Sequence, residues 1–200
     1  MAGEVFTLGH STHAIAKFVD LLKRHRIEAI ADVRSRPFSR MNPQFNRDAL
    51  KRALRAERIR YAFVGEELGA HPSDPGCYVG GRARYDLIAR TDLFRRGIER
   101  VLTGASKYRV ALVCAEKDPM TCHRTMLVCR ELIGHGLDAR HILASGEIES
   151  QEDGLRRVAS EIGVSLTDLF RKPEDILAEV YARRINEIEY VEVAPENESV

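Results

Sequence analysis

Three polar motifs in the sequence combine residue types that can do chemistry. They are Gly9-His10-Ser11, Asp32-Val33-Arg34, and the pair Cys114-Ala115-Glu116 and Cys122-His123-Arg124. Carboxylates and imidazoles can move protons, a thiolate can attack an electrophile, and a guanidinium holds a phosphate or carboxylate with its planar fork. If the motifs meet in the fold, the sequence predicts one polar site for an anionic substrate.

The motifs lie at or just after the ends of short apolar runs. Such runs occupy 5–8, 29–33, 59–64, 110–114 and 139–143, and the last of these is expected to be the final strand. Helical periodicity fills the intervals between the runs. This alternation predicts an α/β fold, with an open, mostly parallel sheet flanked by helices in a Rossmann-like three-layer arrangement.

Local signals predict several helix boundaries and one long loop. Asn46 is the expected N-cap of one helix, and another helix starts near Thr91. A further helix is predicted over 122–135. Residues 65–82 contain five glycines and two prolines and are predicted to form an irregular loop. Long loops in compact domains are often functional.

The predicted topology gives the polar motifs a reason to meet. In an open parallel sheet, ligands bind outside the carboxyl ends of the strands. Gly9 follows the first strand, Asp32 ends the second, Gly65 follows the third, and Cys114 ends the strand with the longest unbroken apolar run. We therefore expect these positions on one edge of the sheet, facing one crevice.

The catalytic candidates are Glu116, His10, His123, Cys122 and Asp32. Glu116 would stand at a strand end near arginines, where it is either an ionised general base or an arginine's partner. The histidines could act as acid and base. Cys122 would open a helix, where free N–H groups lower a thiol's pKa. A cysteine-dependent phosphatase is excluded by spacing, because Val128 stands where its arginine would follow Cys122.

The substrate-binding candidates are Gly9, Ser11, Arg34, Arg36 and Arg124. The arginines suit a phosphate or carboxylate group. Asp32 and Arg34 are two positions apart and point to the same face of the strand end, so a structural ion pair is the competing interpretation. Gly9 would let a ligand approach the first loop closely.

Neither a metal nor a cofactor is predicted. An ion held by His10, His123, Glu116 and a cysteine is the alternative, but the cysteines and histidine over 114–129 lack the paired spacing of zinc fingers. The Gly-His-Ser motif also lacks the further glycines of a dinucleotide or P-loop fingerprint.

Charge divides the chain into two parts. Residues 147–200 carry 6 Lys/Arg and 14 Asp/Glu, whereas residues 1–146 carry 25 and 16. We therefore expect an α/β domain over 1–146 that contains the site, and an acidic helical extension over 147–200. Residues 34–60 hold nine basic and two acidic residues, which suits an anionic partner or a solvated helix face.

The composition is that of an untargeted cytoplasmic protein. No run of about 18 apolar residues and no basic-then-apolar leader is present, so no membrane partner is expected. The four cysteines fit reduced thiols better than a disulfide framework. In the extension, Ile176, Val180, Ile185 and Ile188 form an apolar stripe, which either packs on its own domain or forms a homodimer contact.

The motifs together carry a resemblance to a known family. They are Thr7-Leu8-Gly9-His10-Ser11, the stretch 32–39, Leu68-Gly69, and the stretch from Cys114 through Pro119 to Arg124. In this order they resemble the domain-of-unknown-function 488 family over about residues 4–143. The resemblance implies a shared pattern of site residues and no particular reaction. Ala70 replaces the usual second glycine after Leu68-Gly69, which puts the tightness of that loop in doubt.

Two functional hypotheses follow. The first is an enzyme, of hydrolase type, acting on a phosphate-bearing small molecule derived from a nucleotide or nucleic acid. In it, Arg34, Arg36 and Arg124 hold the anion while Glu116 and a histidine move protons. The alternative is a noncatalytic nucleic-acid-binding module that uses the basic region 34–60.

Overall fold

The computed structural model describes residues 3–167 and 171–191, which fold around a six-stranded sheet. The strands are β1 Gly3–Gly9, β2 Ala29–Asp32, β3 Arg60–Phe63, β4 Tyr78–Val79, β5 Arg82–Ala83, β6 Val110–Cys114, β7 Leu137–Ile142 and β8 Ile148–Ser150. The helices are α1 Ile15–Arg24, α2 Arg47–Ala56, α3 Gly65–Leu68, α4 Tyr85–Ile88, α5 Asp92–Ala105, α6 Arg130–Gly134, α7 Gln151–Glu161 and α8 Pro173–Ile188. Short 3₁₀ turns cover Pro43–Phe45, Pro75–Cys77 and Pro119–Thr121, and a π-helical turn covers Arg124–Cys129.

The main sheet has the strand order β3-β2-β6-β1-β7-β8, and only β8 runs antiparallel to its neighbour. β6 lies near the centre with all five residues buried, as its unbroken apolar run predicts. The predicted fold class is confirmed. The expectation that 139–143 is the last strand is wrong: the chain turns at Gly146 and adds β8, which at three residues is too short to give a periodic signal.

The central strands send alternate side chains into two apolar cores, one on each face of the sheet. Phe6 and Leu8 of β1 pack with Phe18 of α1 in one core. Val5, on the opposite side of the same strand, packs with Ile98 of α5 in the other. Because helices cover both faces, polar side chains of this sheet reach solvent mainly at the strand ends.

The segment after residue 146 packs on the same sheet. β8 pairs with β7, and α7 and α8 contribute buried residues to the core that contains Val5. Ile176 and Val180 of α8 are buried there, and Ile185 and Ile188 pack against it. The stripe proposed for a homodimer is therefore covered by the protein's own core. Within the described residues, the helices all lack the length and apolar character needed to cross a membrane.

Residues 65–82 are more regular than predicted. The stretch begins with α3 and contains the hairpin of β4 and β5. α3 packs on α5 at Gly97, where a Cβ atom would lie 2.7 Å from the side chain of Leu68. A helix of four residues and strands of two are too short for periodicity to reveal.

A buried polar chain connects the sheet to the C-terminal helices. The hydroxyl of Thr7 donates to Nδ1 of His141 (2.9 Å), and Nε2 of that ring donates to Oε1 of Gln151 (2.9 Å). The amide of Gln151 in turn donates to the hydroxyl of Tyr181 (2.8 Å). Both ring nitrogens are satisfied in the neutral form, and burial lowers the pKa of His141 to about 4.

This histidine makes stability depend on pH. In the unfolded chain its pKa is close to 6.5, so between pH 6.5 and 4 the unfolded state binds more protons and folding weakens as pH falls. We expect His141 to contribute a loss of about 2–3 kcal/mol of unfolding free energy between pH 7 and 4.5. Urea unfolding of the wild type and of His141→Gln at both pH values measures it. The variant should be less stable at pH 7 but lose less on acidification; equal losses would contradict the assignment.

Candidate active site

The polar motifs meet at the carboxyl edge of the sheet, as the topology predicts. Beyond the regular strands, the amide of His10 donates to the carbonyl of Cys114 and the amide of Ser11 to that of Ala115, both at 2.9 Å. The amide of Val33 donates to the carbonyl of Val113 (3.1 Å). These bonds extend the sheet into the loops that carry the candidate residues.

Asp32 and Arg34 form the ion pair that the sequence offered as one interpretation. Both side chains are buried, and the guanidinium binds the carboxylate twice, through Nε at 2.8 Å and Nη2 at 2.6 Å. The backbone amide of Arg34 and the hydroxyl of Tyr61 also donate to this carboxylate, at 3.2 and 2.7 Å. Asp32 therefore fixes Arg34, and its oxygens are occupied.

His10 belongs to the same network. Its Nε2 accepts from Nη1 of Arg34 (3.1 Å), so the ring proton lies on Nδ1, which donates to the carbonyl of Ser11 (2.9 Å). The ring stacks on Phe45 with centroids 4.3 Å apart, and burial lowers the pKa of His10. The imidazole is thus held neutral with both nitrogens bonded. Residue type alone made His10 a catalytic candidate, whereas its geometry is that of a positioning residue.

Gly9 is required by the protein chain itself. A Cβ atom at this position would lie 1.9 Å from the carbonyl oxygen of Glu116. The sequence suggested that a ligand approaches Gly9 closely. In the structure the loop after β6 makes that close approach instead. Ser11, half-buried with φ of 46°, turns the chain out of β1.

Arg124 holds that loop from beneath. Its side chain is completely buried, and Nη1 donates to the carbonyl of Glu116 (2.8 Å). In this position the guanidinium supports backbone and is not open to solvent, in contrast to the anion contact expected from the sequence. An arginine that binds an anion at this edge must therefore be one other than Arg34 or Arg124, which are both buried.

Cys122 is the N-cap residue of the helical segment that follows it. Its backbone is extended (φ −133°, ψ 140°), and its carbonyl accepts from the amides of Thr125 and Met126, each at 3.0 Å. The segment begins at His123, which has helical backbone angles, and continues through the π turn from Arg124. The predicted helix start near Cys122 is therefore confirmed, and the free amides of the first turn lie next to this residue.

Four side chains converge at the centre of the edge. Nδ1 of His123 lies 3.7 Å from Sγ of Cys114 and 3.9 Å from Sγ of Cys122. In its protonated form Cys122 donates to Oε2 of Glu116 (3.0 Å). The two cysteines and His123 are buried, whereas Glu116 is exposed and closes the group on its solvent side. We call these four residues the thiol cluster.

The electrostatics of the thiol cluster separate its two sulfurs. Burial disfavours ionisation of both, and it raises the pKa of Cys114 well above its usual range, with the neighbouring Cys122 adding to the effect. Against burial, the contact with Cys114 and the charge of Arg124 bring the pKa of Cys122 well below its usual range. Cys122 is thus the more acidic thiol of the pair.

The loop between the two cysteines is fastened by the C-terminal extension. Arg157 of α7 grips both oxygens of Asp118 at 2.9 Å and also binds Glu149 of β8 at 3.0 Å. Met120 packs on Gly154 of α7, where a Cβ atom would lie 2.3 Å from the Met120 side chain. The acidic extension therefore supports the site's geometry.

His71 lies near the thiol cluster, and Arg36 lies near His71. Arg36 is exposed and makes no ion pair within 3–167 and 171–191. His71 is close enough to His123, Arg36 and Glu116 for their charges to affect its pKa, which burial lowers. The ring of His71 stacks on Tyr190 at 3.8 Å. Arg36 and His71 line a cavity of about 390 Å³. Its walls are formed by Arg36, His71, Pro72, Ser73, Pro75, Tyr78 and Tyr190.

His71 was missed from the sequence. It lies in the loop 65–82, whose glycines and prolines were the available signal, and its backbone amide is held by the hydroxyl of Ser35 at 3.1 Å. Nothing in the residues around it points to the thiol cluster, because the approach depends on how the loop folds back over the strand ends.

Comparison with protein families gives one match, to the domain of unknown function DUF488, over residues 14–130. The chain belongs to the DUF488 family. The match includes Asp32, Arg34 and the whole thiol cluster of this DUF488 chain, whereas Gly9, His10 and Ser11 precede it. No curated protein and no solved structure matches the chain.

Proposed function

We propose that this DUF488 chain is an enzyme, of hydrolytic type, that acts on a phosphate-bearing substrate derived from a nucleotide or nucleic acid. The observation that carries the proposal is the position of His71, which is close enough to His123 and Glu116 for their charges to affect its pKa and which lines a cavity together with Arg36. Groups that can move protons therefore lie near groups that can bind an anion.

Glu116 is the group best placed to act as general base. It is exposed, so it can reach a water or a substrate hydroxyl, and its backbone is held by Arg124. In its protonated form, the neighbouring Cys122 donates to it from the buried side. A carboxylate supported by the protein on one side and open on the other suits proton transfer.

Arg36, with His71, takes over the anion-binding role first considered for Arg34 and Arg124. The latter two are buried and already bonded to Asp32 and to the carbonyl of Glu116. Arg36 is exposed and makes no ion pair with the described part of the chain, so its planar fork can bind a phosphate. The adjoining cavity of about 390 Å³ gives room for a group attached to that phosphate.

The proposal is tested with a panel of nucleoside mono- and diphosphates, inorganic phosphate, and short single- and double-stranded oligonucleotides. We expect at least one phosphate compound to bind, and Arg36→Ala to weaken it about tenfold, as expected for loss of a charge-assisted contact. Arg96→Ala, an exposed arginine on α5, is the matched control. Glu116→Gln should keep binding and lose turnover of the bound compound. Failure of every compound to bind, or equal binding by Arg36→Ala, would contradict the proposal.

A noncatalytic nucleic-acid-binding module is the second candidate, and one observation favours it. Phe38 and Met41 are 69% and 88% exposed in the loop before α2, and Phe38 lies between Arg36 and Arg40. An exposed aromatic ring among arginines suits stacking on an unpaired base. In the same panel, this function predicts that oligonucleotides bind without being turned over and that salt weakens their binding. Phe38→Ala and charge reversal at Arg52 on α2 should each weaken that binding.

We also propose a reducing, cytoplasmic location. All four cysteines are free and buried, and two of them belong to the thiol cluster, whose chemistry requires that they stay reduced.

A further inference from the structure

The thiol cluster has the donor set and the size of a metal site. One ligand atom from each of Cys114, Cys122, His123 and Glu116 lies within 4.8 Å of the others. Metal bonds of about 2.3 Å to sulfur and 2.0–2.1 Å to nitrogen put neighbouring ligand atoms of a tetrahedral zinc site about 3.5–3.8 Å apart. The two sulfur-to-nitrogen distances, 3.7 and 3.9 Å, are already close to this geometry.

The ring of His123 is oriented for coordination. Its Nε2 lies 3.1 Å from the carbonyl of Val33, which only accepts, so Nε2 carries a proton, and in the neutral ring the lone pair of Nδ1 points at the two sulfurs. Metal-binding histidines commonly donate their other ring N–H to a backbone carbonyl in this way. Among the residues that the structure describes, the neighbours of this buried lone pair that could donate to it are two weakly donating thiols.

The backbone that carries these groups is fixed in advance. Cys114 ends β6, with its carbonyl bonded to the amide of His10. The loop leading to Cys122 is held by Arg124 at Glu116 and by Arg157 at Asp118. An ion would therefore find its ligands in place, with only the 3.0 Å contact between Cys122 and Glu116 needing to open.

We propose that Cys114, Cys122 and His123 bind a zinc ion. Two thiolates and an imidazole are ligands that favour zinc over harder cations, and each cysteine binds as its thiolate, any proton that it carried passing to solvent. Three protein ligands leave a fourth position, which opens toward the exposed Glu116. A water bound there would lie within reach of that carboxylate. Binding of the ion rests on the cluster's geometry alone, whereas the role of Glu116 beside it rests on the proposed function.

The test uses the full chain, stripped with a chelator and reconstituted under reductant with Zn²⁺ or Co²⁺. We expect one equivalent of either ion, and a cobalt spectrum with tetrahedral bands and thiolate-to-cobalt charge transfer. Cys114→Ser and Cys122→Ser should each weaken binding of the ion by more than about 100-fold. This exceeds the usual loss when a residue that only supports a ligand is changed. Cys77→Ser and Cys129→Ser, at buried thiols outside the cluster, should keep it. Circular dichroism checks that each variant folds.

The outcomes separate the two proposals. If the wild type binds neither ion, or if both cluster serine variants keep full affinity, the metal site is overturned, and nucleotide binding at Arg36 can still hold. If the ion binds and Glu116→Gln changes neither its affinity nor the turnover of any phosphate compound, the proposed enzyme fails while the zinc site stands. Should the cluster serine variants not fold, the stoichiometry and cobalt spectrum of the wild type still decide the matter.

Discussion

Replacing Asp32 with alanine is expected to lower the free energy of unfolding by about 3–5 kcal/mol, the usual cost of leaving one member of a buried ion pair alone. Asp32 is fully buried and Arg34 is 6% exposed. Without the carboxylate, the guanidinium would keep only its contact with His10, and the hydroxyl of Tyr61 would lose its acceptor. Urea unfolding at neutral pH measures the change.

Tyr61→Phe is the matched control for Asp32→Ala. It removes one of the four hydrogen bonds to the carboxylate and leaves the ion pair intact. We expect a cost of about 1 kcal/mol. If Asp32→Ala costs no more than Tyr61→Phe, the pair is not the fixed element described above, and Arg34 returns as a candidate for direct anion binding.

The second large effect is expected at Gly9. A methyl group there would meet the carbonyl of Glu116 and force the loop after β6 outward. That movement would also break the bond from the buried Arg124 to the same carbonyl. Overpacking and an unsatisfied buried donor together predict a loss of about 3–5 kcal/mol for Gly9→Ala, measured by chemical denaturation.

Gly134→Ala provides the comparison. Gly134 is the last residue of α6, and a Cβ atom there would meet nothing within 4 Å. Alanine in place of a helical glycine should be neutral or stabilise by up to about 1 kcal/mol. Gly9→Ala should also move Glu116 away from Cys122. A Gly9→Ala protein as stable as Gly134→Ala would mean that the loop yields at little cost.

The sequence was sufficient to predict the sheet and the edge at which the motifs meet. Alternating apolar runs and helices constrain the chain to a parallel sheet, and a parallel sheet puts Gly9, Asp32 and Cys114 at the same end. Elements that the sequence did not reveal, such as α3 and β8, are those too short to establish a period.

The roles of the individual residues needed side-chain geometry. His10, Arg34 and Arg124 have the residue types of a proton carrier and anion binders, yet all three are buried and bonded within the protein, although Nε of Arg124 has no partner among the described residues. The sequence predicted that the residues of the thiol cluster share one site, but it did not predict that they form a ligand set, because they do not follow a paired spacing. A 3₁₀ turn at Pro119–Thr121 brings Cys122 back to the strand end at Cys114, which spacing rules for zinc fingers do not describe.

The order of strands has a consequence for how the protein is made. β1 lies between β6 and β7, so its first partner begins about a hundred residues later, at Val110. At ribosomal rates of about 5–20 residues per second, β1 waits roughly 5–20 s for that partner. Meanwhile Phe6 and Leu8 have no strand beside them. The emerging chain is therefore expected to need protection from association until the centre of the sheet can close, and to fold slowly because its central pairings are long-range.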